Sequence, residues 1–421
     1  MFIIYDIIFI LFAFFYLPCM LFAGKMHRGL WQRLGVFKRQ KFSQRPIWIH
    51  AVSVGEVGVA SLLVKALKQK TNQPLVISVV TPTGNSLAKK LIGEDAKVIY
   101  APLDLSFIVN RFLRFINPSL FILVETELWP NLIHGLSKNK IPIVLINGRI
   151  SPRSFCGYKA VRFLTKQILA RINLFCIQTE GDKERIINLG AEPEKVKVTG
   201  NMKFDNLDYT GTETGLSDYN LKLWIKSDEL LFIAGSTHPP EEKIILGVYK
   251  NLLSDFTNLR LLIAPRHIQR ADEIERLVAK FGFNALRMSD VAYHLSPITH
   301  HQILLLDTIG QLKQLYKFAS VVFIGGTLIK KGGQNILEAA FFAKPVVFGT
   351  YMFNFSEIAS LYLSNNAAIQ VKNKEELEQA VRRIFNNTQE ASAMGARAKE
   401  IIYSQKGATS RNADLVMGLM K

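Results

Sequence analysis

The chain has 421 residues, which is enough for two domains that each bury a full core. Lys and Arg outnumber Asp and Glu by 52 to 34, and the net charge of +18 suits an acidic partner such as nucleic acid, anionic lipid or a phosphorylated substrate. The sequence has no recognisable nucleic-acid module, and its three cysteines (Cys19, Cys156 and Cys176) lack a CxxC spacing. These features argue against a nucleic-acid partner, a disulfide framework and a zinc site, and they favour a reducing compartment.

Residues 1–24 are predicted to form a membrane anchor. The stretch 1–23 is almost continuously apolar, with Asp6 as its only charge, and it is long enough to span a bilayer. Residues 25–45 carry seven Lys or Arg residues and no acid, which favours the cytoplasmic side and, with Trp31 and Phe37, suits an anionic membrane surface. We therefore expect a single pass through the inner membrane, with the rest of the chain in the cytoplasm. An interfacial or buried helix is the alternative.

Strands and helices alternate over residues 46–205, which predicts a first domain of repeated β–α units over a mainly parallel sheet. Short apolar runs followed by helical spacing predict strands at residues 47–54, 75–80, 97–100, 120–125, 143–147, 174–178 and 196–199.

A polar run at residues 206–220 interrupts the pattern and is predicted to be a linker. The pattern then resumes in a second domain, residues 221–421, with strands predicted at 230–234, 259–264, 303–306, 321–324 and 345–348. The sequence therefore predicts an α/β fold of two Rossmann-like domains. We expect them to face each other across a cleft at the carboxyl ends of their strands, where ligands bind in such sheets.

Glu56 is the candidate general base of the first domain. It lies at the start of a predicted helix, directly after the first strand. A helix N-terminus lowers the pKa of a carboxylate and burial raises it, and either environment suits a base that removes a hydroxyl proton. The alternative is a first-turn Glu that only stabilises its helix.

Four further polar residues of the first domain follow strands or close the domain. Thr83 belongs to a loop typical of polar-ligand contact, although it is equally suited to capping a helix. Glu125 and Glu127 are costly to bury without partners, so one is expected to orient a residue or hold substrate, and pairing with Arg149 is the structural alternative. Lys203, beside the linker, is placed to contact a ligand that spans both domains.

The stretch 321–340 combines a buried strand, a Gly-rich loop with Lys330 and Lys331, and a helical pattern. Such a unit presents backbone amides and a helix N-terminus to an anion. This pattern predicts a nucleotide-sugar pocket formed by Gly325, Gly326, Gly332, Gly333, Gln334, Asn335 and Glu338. The alternative is an ordinary turn whose glycines serve only the backbone.

Two more loops of the second domain follow successive strands and are predicted to line the same pocket. One contains Ser236 and Thr237, and the other contains Arg266 and His267. Arg266 offers a planar fork of donors that suits phosphate, carboxylate or a base edge. The sequence has no P-loop, GxGxxG, GxSxG or HExxH motif and no Asp-x-Asp pair at a strand end, so metal dependence is not indicated.

Five motifs in this order give the chain a resemblance to a known family. The sequence resembles the 3-deoxy-D-manno-octulosonic acid (Kdo) transferases of lipopolysaccharide synthesis over nearly its whole length, including the N-terminal anchor. The motifs are Ser-Val-Gly-Glu (53–56), Glu-Thr-Glu-Leu-Trp-Pro-Asn (125–131), Gly-Asn-Met-Lys-Phe-Asp (200–205), Pro-Arg-His (265–267) and Gly-Gly-Gln-Asn-Ile-Leu-Glu-Ala-Ala (332–340).

The resemblance implies a glycosyltransferase of the two-domain GT-B type, with CMP-Kdo as donor and a lipid A precursor as acceptor. It also implies inversion at the anomeric carbon without a metal or other cofactor. By the same resemblance Glu56 is the catalytic base, the pair Glu125 and Glu127 shapes the acceptor side, and CMP is held by Arg266, Asn335 and Glu338.

The chain departs from the family pattern at two positions. Gln334 stands where the family often has His, and Gln can hydrogen-bond but cannot carry charge. Thr350 follows Gly349 where the family often has a Gly-Pro pair. Two other functions fit the sequence: a GT-B transferase with a UDP-sugar donor and a lipid-linked acceptor, and a non-catalytic, membrane-tethered lipid-binding protein. A sugar-nucleotide epimerase shares the fold but has no use for a membrane segment.

Overall fold

A computed structural model describes residues 5–7, 9–11, 29–37, 42–206, 228–291 and 302–420. Most of the predicted anchor, and the predicted linker beyond Asn206, lie outside these residues. The chain divides into two compact units. Unit 1 comprises Met1–Asn206 and Gln405–Lys421, and unit 2 comprises Leu207–Ser404.

Each unit contains a seven-stranded, fully parallel sheet. Nearly all central strands are buried on both faces, which is why their sequences are continuous apolar runs rather than alternating ones. The strands are β1 (Ile47–Ala51), β2 (Leu75–Val79), β3 (Lys97–Tyr100), β4 (Leu120–Val124), β5 (Ile143–Gly148), β6 (Leu174–Ile177), β7 (Val196–Val198), β8 (Leu230–Thr237), β9 (Leu259–Pro265), β10 (Asn284–Arg287), β11 (Gln302–Leu305), β12 (Val321–Ile324), β13 (Val346–Gly349) and β14 (Ile369–Val371).

Helices connect these strands, and several begin at a Ser, Thr or Asn whose side chain accepts an N–H of the first turn, such as Ser53, Thr81 and Thr179. The helices are α1 (Leu30–Arg33), α2 (Val54–Lys68), α3 (Pro82–Ile92), α4 (Ser106–Ile116), α5 (Pro130–Lys138), α6 (Pro152–Ala160), α7 (Arg162–Leu169), α8 (Glu180–Leu189), α9 (Glu241–Leu252), α10 (Ala271–Lys280), α11 (Met288–Val291), α12 (Leu312–Leu315), α13 (Leu337–Phe341), α14 (Ser356–Ser364), α15 (Lys374–Asn386), α16 (Thr388–Gln405) and α17 (Ala408–Gly418).

The strand order reverses once in each sheet. Unit 1 has the order β3-β2-β1-β4-β5-β6-β7, and unit 2 has the order β10-β11-β9-β8-β12-β13-β14. In open parallel sheets the crevice for ligands forms where the order reverses, at the carboxyl ends of the strands. The loops after β1 and β4 in unit 1, and after β8 and β12 in unit 2, are therefore the positions to search for a site.

The two parallel sheets confirm the predicted α/β fold of two domains, and every predicted strand is present. Two strands were not predicted, β10 and β14. Each lies at a sheet edge and is only partly buried, so neither has the apolar run that identifies the others. The first strand ends at Ala51 rather than at residue 54, because Ser53 caps α2. Of the helices in the described ranges, none combines the length and the apolar character needed to cross a bilayer.

We predicted that residues 221–421 form one domain. In the structure the C-terminal helix, α17, belongs instead to unit 1. Ala408, Ala413 and Val416 pack into the core of unit 1 beside Met202. The carboxylate of Asp205 accepts the N–H groups of Gly407 (2.7 Å) and Thr409 (2.6 Å). Gly407 is the N-cap residue of α17 and has no side chain, so Asp205 supplies the cap from 202 residues away in sequence.

The substitution Asp205→Ala tests this attachment. It removes the acceptor for two helix N-terminal amides and should lower the free energy of unfolding of unit 1 by about 1–2 kcal/mol, measured by urea denaturation. The control is Asp414→Ala on the same helix, where an exposed carboxylate pairs with Lys70 and should contribute much less to stability. Equal losses in the two variants would show that Asp205 does not hold α17.

Candidate functional site

Glu56 lies in the first turn of α2, directly after β1, and only 4% of its surface is exposed. Its carboxylate accepts the backbone N–H of Val52 (2.6 Å) and the hydroxyl of Ser53 (2.8 Å), while Ser53 accepts the N–H of Glu56 (3.4 Å). This reciprocal arrangement is a form of the capping box, in which Ser and Glu three residues apart stabilise a helix start. The carboxylate is therefore fixed in position at the carboxyl end of β1, next to the point where the strand order reverses.

The environment of Glu56 raises its pKa to about 7. Burial is the main cause, since it disfavours the charged form, and the nearby carboxylates of Glu125 and Glu127 act in the same direction. The hydrogen bonds from Val52 and Ser53 oppose the shift without cancelling it. A carboxylate with such a pKa is partly ionised at neutral pH and holds a proton well once it has taken one, which is what a general base requires.

Glu125 and Glu127 follow β4, the strand beside β1, and so approach Glu56 from the other side of the reversal point. Glu125 forms an ion pair with Lys203 (2.9 Å), and its backbone has the left-handed φ of 57°. Burial raises the pKa of Glu127, a hydrogen bond from Trp129 opposes this, and Glu125 adds a smaller increase. The structure thus brings together four residues that the sequence predicted separately: Glu56, Glu125, Glu127 and Lys203.

Hydrogen bonds between side chains and the backbone hold together the loops that carry these residues. The hydroxyl of Thr126 donates to the carbonyl of Arg149 (2.7 Å) and accepts its N–H (3.1 Å). Asn147, fully buried, accepts the N–H of Met202 (2.9 Å) and so positions the turn that presents Lys203. Glu125 thus has Lys203 as an ion-pair partner. A pair between these acids and Arg149, the alternative expected from the sequence, stays a prediction.

Thr83 lies exposed in the first turn of α3, after β2. Its hydroxyl contacts that of Thr81, the residue that caps this helix. Its position at the carboxyl end of a strand next to β1 matches the prediction, and a ligand contact by its hydroxyl stays a prediction.

His50 and Asp104 are buried polar residues near this site that the sequence analysis missed. The ring of His50 is fully buried, bonds through Nδ1 to Ser78 (2.8 Å) and lies edge-on to Trp129, and burial lowers its pKa to about 3, so the ring is neutral. Asp104 accepts the N–H groups of Asn131 (3.2 Å) and Leu132 (2.8 Å) at the start of α5. Neither residue stands in a recognisable motif, so no sequence signal identifies them.

In unit 2 the backbone N–H groups after β12, which we expected to bind a phosphate of the ligand, bind a carboxylate of the protein instead. The fully buried carboxylate of Glu241 accepts the N–H groups of Gly326 (2.7 Å), Thr327 (3.0 Å) and Leu328 (3.0 Å), as well as that of His238 (3.0 Å). Burial raises the pKa of Glu241, although the four N–H groups oppose this. The protein therefore supplies its own anion at the place where the sequence predicted one from the ligand.

The glycines of this loop serve the backbone. A Cβ at Gly325 would lie 2.4 Å from the carbonyl oxygen of Ser236, so the loops after β8 and β12 approach too closely for a side chain. Gly326 has a φ of 71°, which favours glycine. Gly332 and Gly333 pack against residues 352–354. The helix α13 that follows has only five residues and begins at Leu337, so it is a weaker anion site than the sequence predicted.

Arg266, Asn335 and Glu338 form a cluster in unit 2, as predicted. Asn335 donates to the carboxylate of Glu338 (3.5 Å), and its own side-chain oxygen accepts the N–H of Leu337 (3.1 Å). Burial raises the pKa of Glu338, and the positive charges of Lys313 and Arg266 oppose this. Lys313, which the sequence analysis did not identify, thus belongs to this cluster. Gln334 directly precedes Asn335 in the chain and is partly buried.

The remaining predicted residues of unit 2 differ in their surroundings: Thr237 is bound within the protein, whereas His267 is exposed. Ser236 adopts a φ of 56° at the end of β8, and the hydroxyl of Thr237 donates to Glu242 (2.9 Å), which in turn binds Arg270 (2.7 Å). His267 is exposed, and its ring lies 5.7 Å from that of His238. Burial lowers the pKa of His238, and the nearby side chains of His267, Lys331 and Arg266 act in the same direction. The carboxylate of Glu242 opposes them.

His238 and the acids Glu241 and Glu242 could have been found from the sequence. They follow β8 in the run His-Pro-Pro-Glu-Glu (238–242), which places two acids at the start of a helix directly after a strand. Among the described residues, no group of three or more His, Cys, Asp or Glu side chains is arranged to hold a metal ion.

Comparisons with known proteins agree on one family. Residues 28–206 match the sequence model of the family described as 3-Deoxy-D-manno-octulosonic-acid transferase (kdotransferase). A protein of Haemophilus influenzae named 3-deoxy-D-manno-octulosonic acid transferase is 36% identical over 88% of this chain and 86% of its own length. One of the same name from Chlamydophila psittaci is 31% identical over 97% and 94%.

A bifunctional glycosyltransferase/methyltransferase of Fusobacterium nucleatum is 40% identical over 81% of this chain. The matched region spans about half (52%) of that longer protein. Solved structures with the same fold include a glycosyltransferase from Rickettsia africae (TM-score 0.59, 13% identity, 90% of this chain and 100% of that one). Another is the UDP-GlcNAc 2-epimerase of Neisseria meningitidis (TM-score 0.58, 12% identity, 86% and 99%). At these identities the likeness shows the fold alone.

The substitution Glu241→Gln tests whether this carboxylate organises the loop after β12. The amide of Gln offers one acceptor oxygen in place of two, so at least one backbone N–H loses its partner. The free energy of unfolding of unit 2 should fall by about 1–3 kcal/mol in urea denaturation. Glu375→Gln, at an exposed first-turn position of α15, is the matched control. A loss no larger than that of the control would show that the loop holds its shape without Glu241.

Proposed function

The chain belongs to the family of 3-deoxy-D-manno-octulosonic acid (Kdo) transferases, and on that basis we propose that it moves Kdo from CMP-Kdo onto a lipid A precursor with inversion at the anomeric carbon. The observation that carries the proposal is the position of Glu56. A buried carboxylate, held at the reversal point of the sheet in unit 1 with a pKa of about 7, is a general base ready to act on a hydroxyl group.

In the proposed reaction a sugar hydroxyl of the acceptor attacks the anomeric carbon of Kdo. Its proton passes to the carboxylate of Glu56 as the new carbon–oxygen bond forms, while the bond from the anomeric carbon to the phosphate oxygen of CMP breaks. CMP leaves with the bonding electron pair and carries an additional negative charge. General-base assistance of this kind contributes about 10²–10⁴-fold to a rate.

Unit 2 is proposed to bind the CMP portion of the donor. We assign Arg266, Asn335 and Glu338 to binding of the nucleotide. The cations Lys313 and Lys331 are assigned to stabilising the negative charge that develops on the leaving phosphate. The amides of residues 326–328 are not part of this proposal, because Glu241 occupies them. We propose that these side-chain cations, rather than a metal, neutralise the leaving group.

The acceptor side is proposed to involve Glu125, Glu127, Lys203 and Thr83, which lie at the carboxyl ends of β2 and β4 or beside them. Lys203 can bind an acceptor phosphate if that phosphate competes with Glu125 for the ammonium group. Since a lipid A precursor keeps its acyl chains in a bilayer, we propose that the apolar N-terminal segment attaches the protein to the cytoplasmic face of the inner membrane.

The substitution Glu56→Gln tests the proposal. It removes the base while keeping a side chain of the same size, so transfer from CMP-Kdo to a lipid A precursor should fall by about 10²–10⁴-fold while CMP binding is unchanged. Product mass reports transfer, since each added sugar gives a discrete step, and calorimetry reports CMP binding. Near-normal turnover would contradict the assignment of Glu56.

Two comparisons separate this proposal from its alternatives. Glu94→Gln, at an exposed position of unit 1, is the control and should transfer at the normal rate. UDP is compared with CMP as a competitor of the donor: stronger inhibition by UDP would favour a UDP-sugar transferase of the same fold. If the wild-type protein binds lipid but transfers no sugar from any nucleotide donor, it is a lipid-binding protein instead.

A further inference from the structure

The single acid of the apolar N-terminal segment is bound by unit 1. Asp6 accepts the backbone N–H of Ser106 (3.1 Å) and the side-chain N–H of Asn131 (2.7 Å), and the hydroxyl of Ser106 also donates to it. Ser106 is the first residue of α4, whose own N-cap residue, Leu105, has no polar side chain. Asp6 therefore caps α4 from 100 residues away in sequence.

The residues around Asp6 support the same attachment. The side chain of Tyr5 hydrogen-bonds to Asp104, and Phe9 packs against the core of unit 1. Residues 5–7 and 9–11 are helical, and Ile7, Ile10 and Leu11 are each half exposed or more. Positions 5, 6 and 9 share one side of a helix and positions 7, 10 and 11 share another, so this segment has one face on the protein and one apolar face outward.

Residues 32 and 33, in the basic stretch that follows the apolar segment, bind the chain just before Ser106. Gln32 accepts the backbone N–H of Tyr100 (2.7 Å), and Arg33 donates to the carbonyl of Ala101 (3.2 Å). The carbonyl of Arg33 also accepts the N–H of Leu103 (3.1 Å). The loop of residues 100–106 thus contacts both Asp6 and residues 32–33.

These contacts set a limit on the distance between residue 6 and residue 33. Residues 101 and 106 are at most about 18 Å apart, because an extended chain spans no more than about 3.6 Å per residue. The hydrocarbon core of a bilayer is about 30 Å thick. Residue 6 and residue 33 therefore cannot lie on opposite sides of a membrane while both keep their contacts with this loop.

We propose that residues 5–7 and 9–11 lie on the same, cytoplasmic side of the membrane as residues 29–36, and that Ile7, Ile10 and Leu11 enter the lipid from that side. This inference rests on the membrane attachment proposed above, and it replaces the single pass expected from the sequence. It also explains why an apolar segment contains Asp6: the carboxylate faces protein donors rather than hydrocarbon.

The surface beside this segment fits an anionic bilayer. Phe107, Arg111 and Arg114 are exposed on one side of α4, at a spacing of four and three residues. Trp31 is 69% exposed, and Val36, which follows the glycine packed against Arg111, is also exposed. Aromatic, aliphatic and basic side chains together match the headgroup region of a membrane with anionic lipids.

Part of the basic stretch has a different role from the one expected. Arg33 donates to Ala101, and Arg45 donates to the carbonyls of Asn117 (3.4 Å) and Pro118 (2.7 Å). The ring of Phe37 stacks on that of Phe115, with centroids 4.0 Å apart. These three residues attach the segment to unit 1, and the membrane contact falls to Trp31, Val36 and the exposed face of α4. Lys25, Arg28, Lys38, Arg39 and Lys41 lie outside the described residues.

The test is the side of the membrane on which residue 6 lies. One peptide tag is placed ahead of Met1 and another after Lys421, and sealed inside-out vesicles of the inner membrane are treated with protease. We expect both tags to be removed. Protection of the N-terminal tag while the C-terminal tag is lost would overturn the proposal, and so would recovery of the chain only in the soluble fraction.

A second measurement uses the purified full chain in detergent. Asp6→Ala should lower the urea midpoint of unit 1, because α4 loses its cap, whereas Ile7→Ala, on the outward face, should leave the midpoint unchanged. Equal midpoints would overturn the docking of residue 6. Sugar transfer is assayed separately on the wild-type protein in the same detergent, so failure of this topology and failure of the proposed transferase activity are distinguishable.

Discussion

The burial of one carboxylate, Glu56, is the constraint on which the account of this protein depends. The parallel sheet of unit 1 ends β1 at the point where the strand order reverses, and the Ser53 cap turns the chain so that Glu56 lies there. Because burial raises its pKa from 4.5 to about 7, the folded chain binds this proton more tightly than the unfolded chain. Its contribution to stability is therefore present below about pH 4.5 and is lost as the pH rises through 7. Unit 1 thus loses stability at neutral pH because it keeps this carboxylate buried.

Unit 2 uses the same geometry for a different purpose. Its reversal point also gathers backbone amides, but Glu241 satisfies them from within the chain. The side chains around Glu338, to which we assign nucleotide binding in our proposal, carry both signs of charge and so suit selection of a ligand by hydrogen-bond pattern. The sheet of unit 1 thus carries at its reversal point the acid that we propose as the base, whereas in unit 2 the acid at the reversal point holds the loop after β12.

The sheets could be predicted from the sequence because parallel strands buried on both faces are apolar runs, as at β4 and β12. The positions of Glu56, Glu125 and Glu127 directly after strands could also be read from the sequence. That β1 and β4 are neighbours, which brings these three acids together, depends on the strand order of the folded sheet. Edge strands such as β10 escaped prediction because they need no such run. Contacts between residues far apart in sequence could not be predicted for a different reason: they depend on how loops meet in space, which no local pattern encodes. Examples are the cap that Asp6 gives to α4, the bonds of Glu241 to the loop after β12 and the attachment of α17 by Asp205.

The decisive measurement is the titration of the Glu56 carboxyl group. With ¹³C-labelled glutamate, nuclear magnetic resonance of the wild-type protein follows each side-chain carboxyl carbon with pH, and the Glu56→Gln variant identifies its signal by absence. The account predicts that this carboxyl group titrates near pH 7, because it is buried beside two other acids. Titration near 4.5, the ordinary value for Glu, would show a solvated first-turn residue and would contradict the assignment of Glu56 as the base.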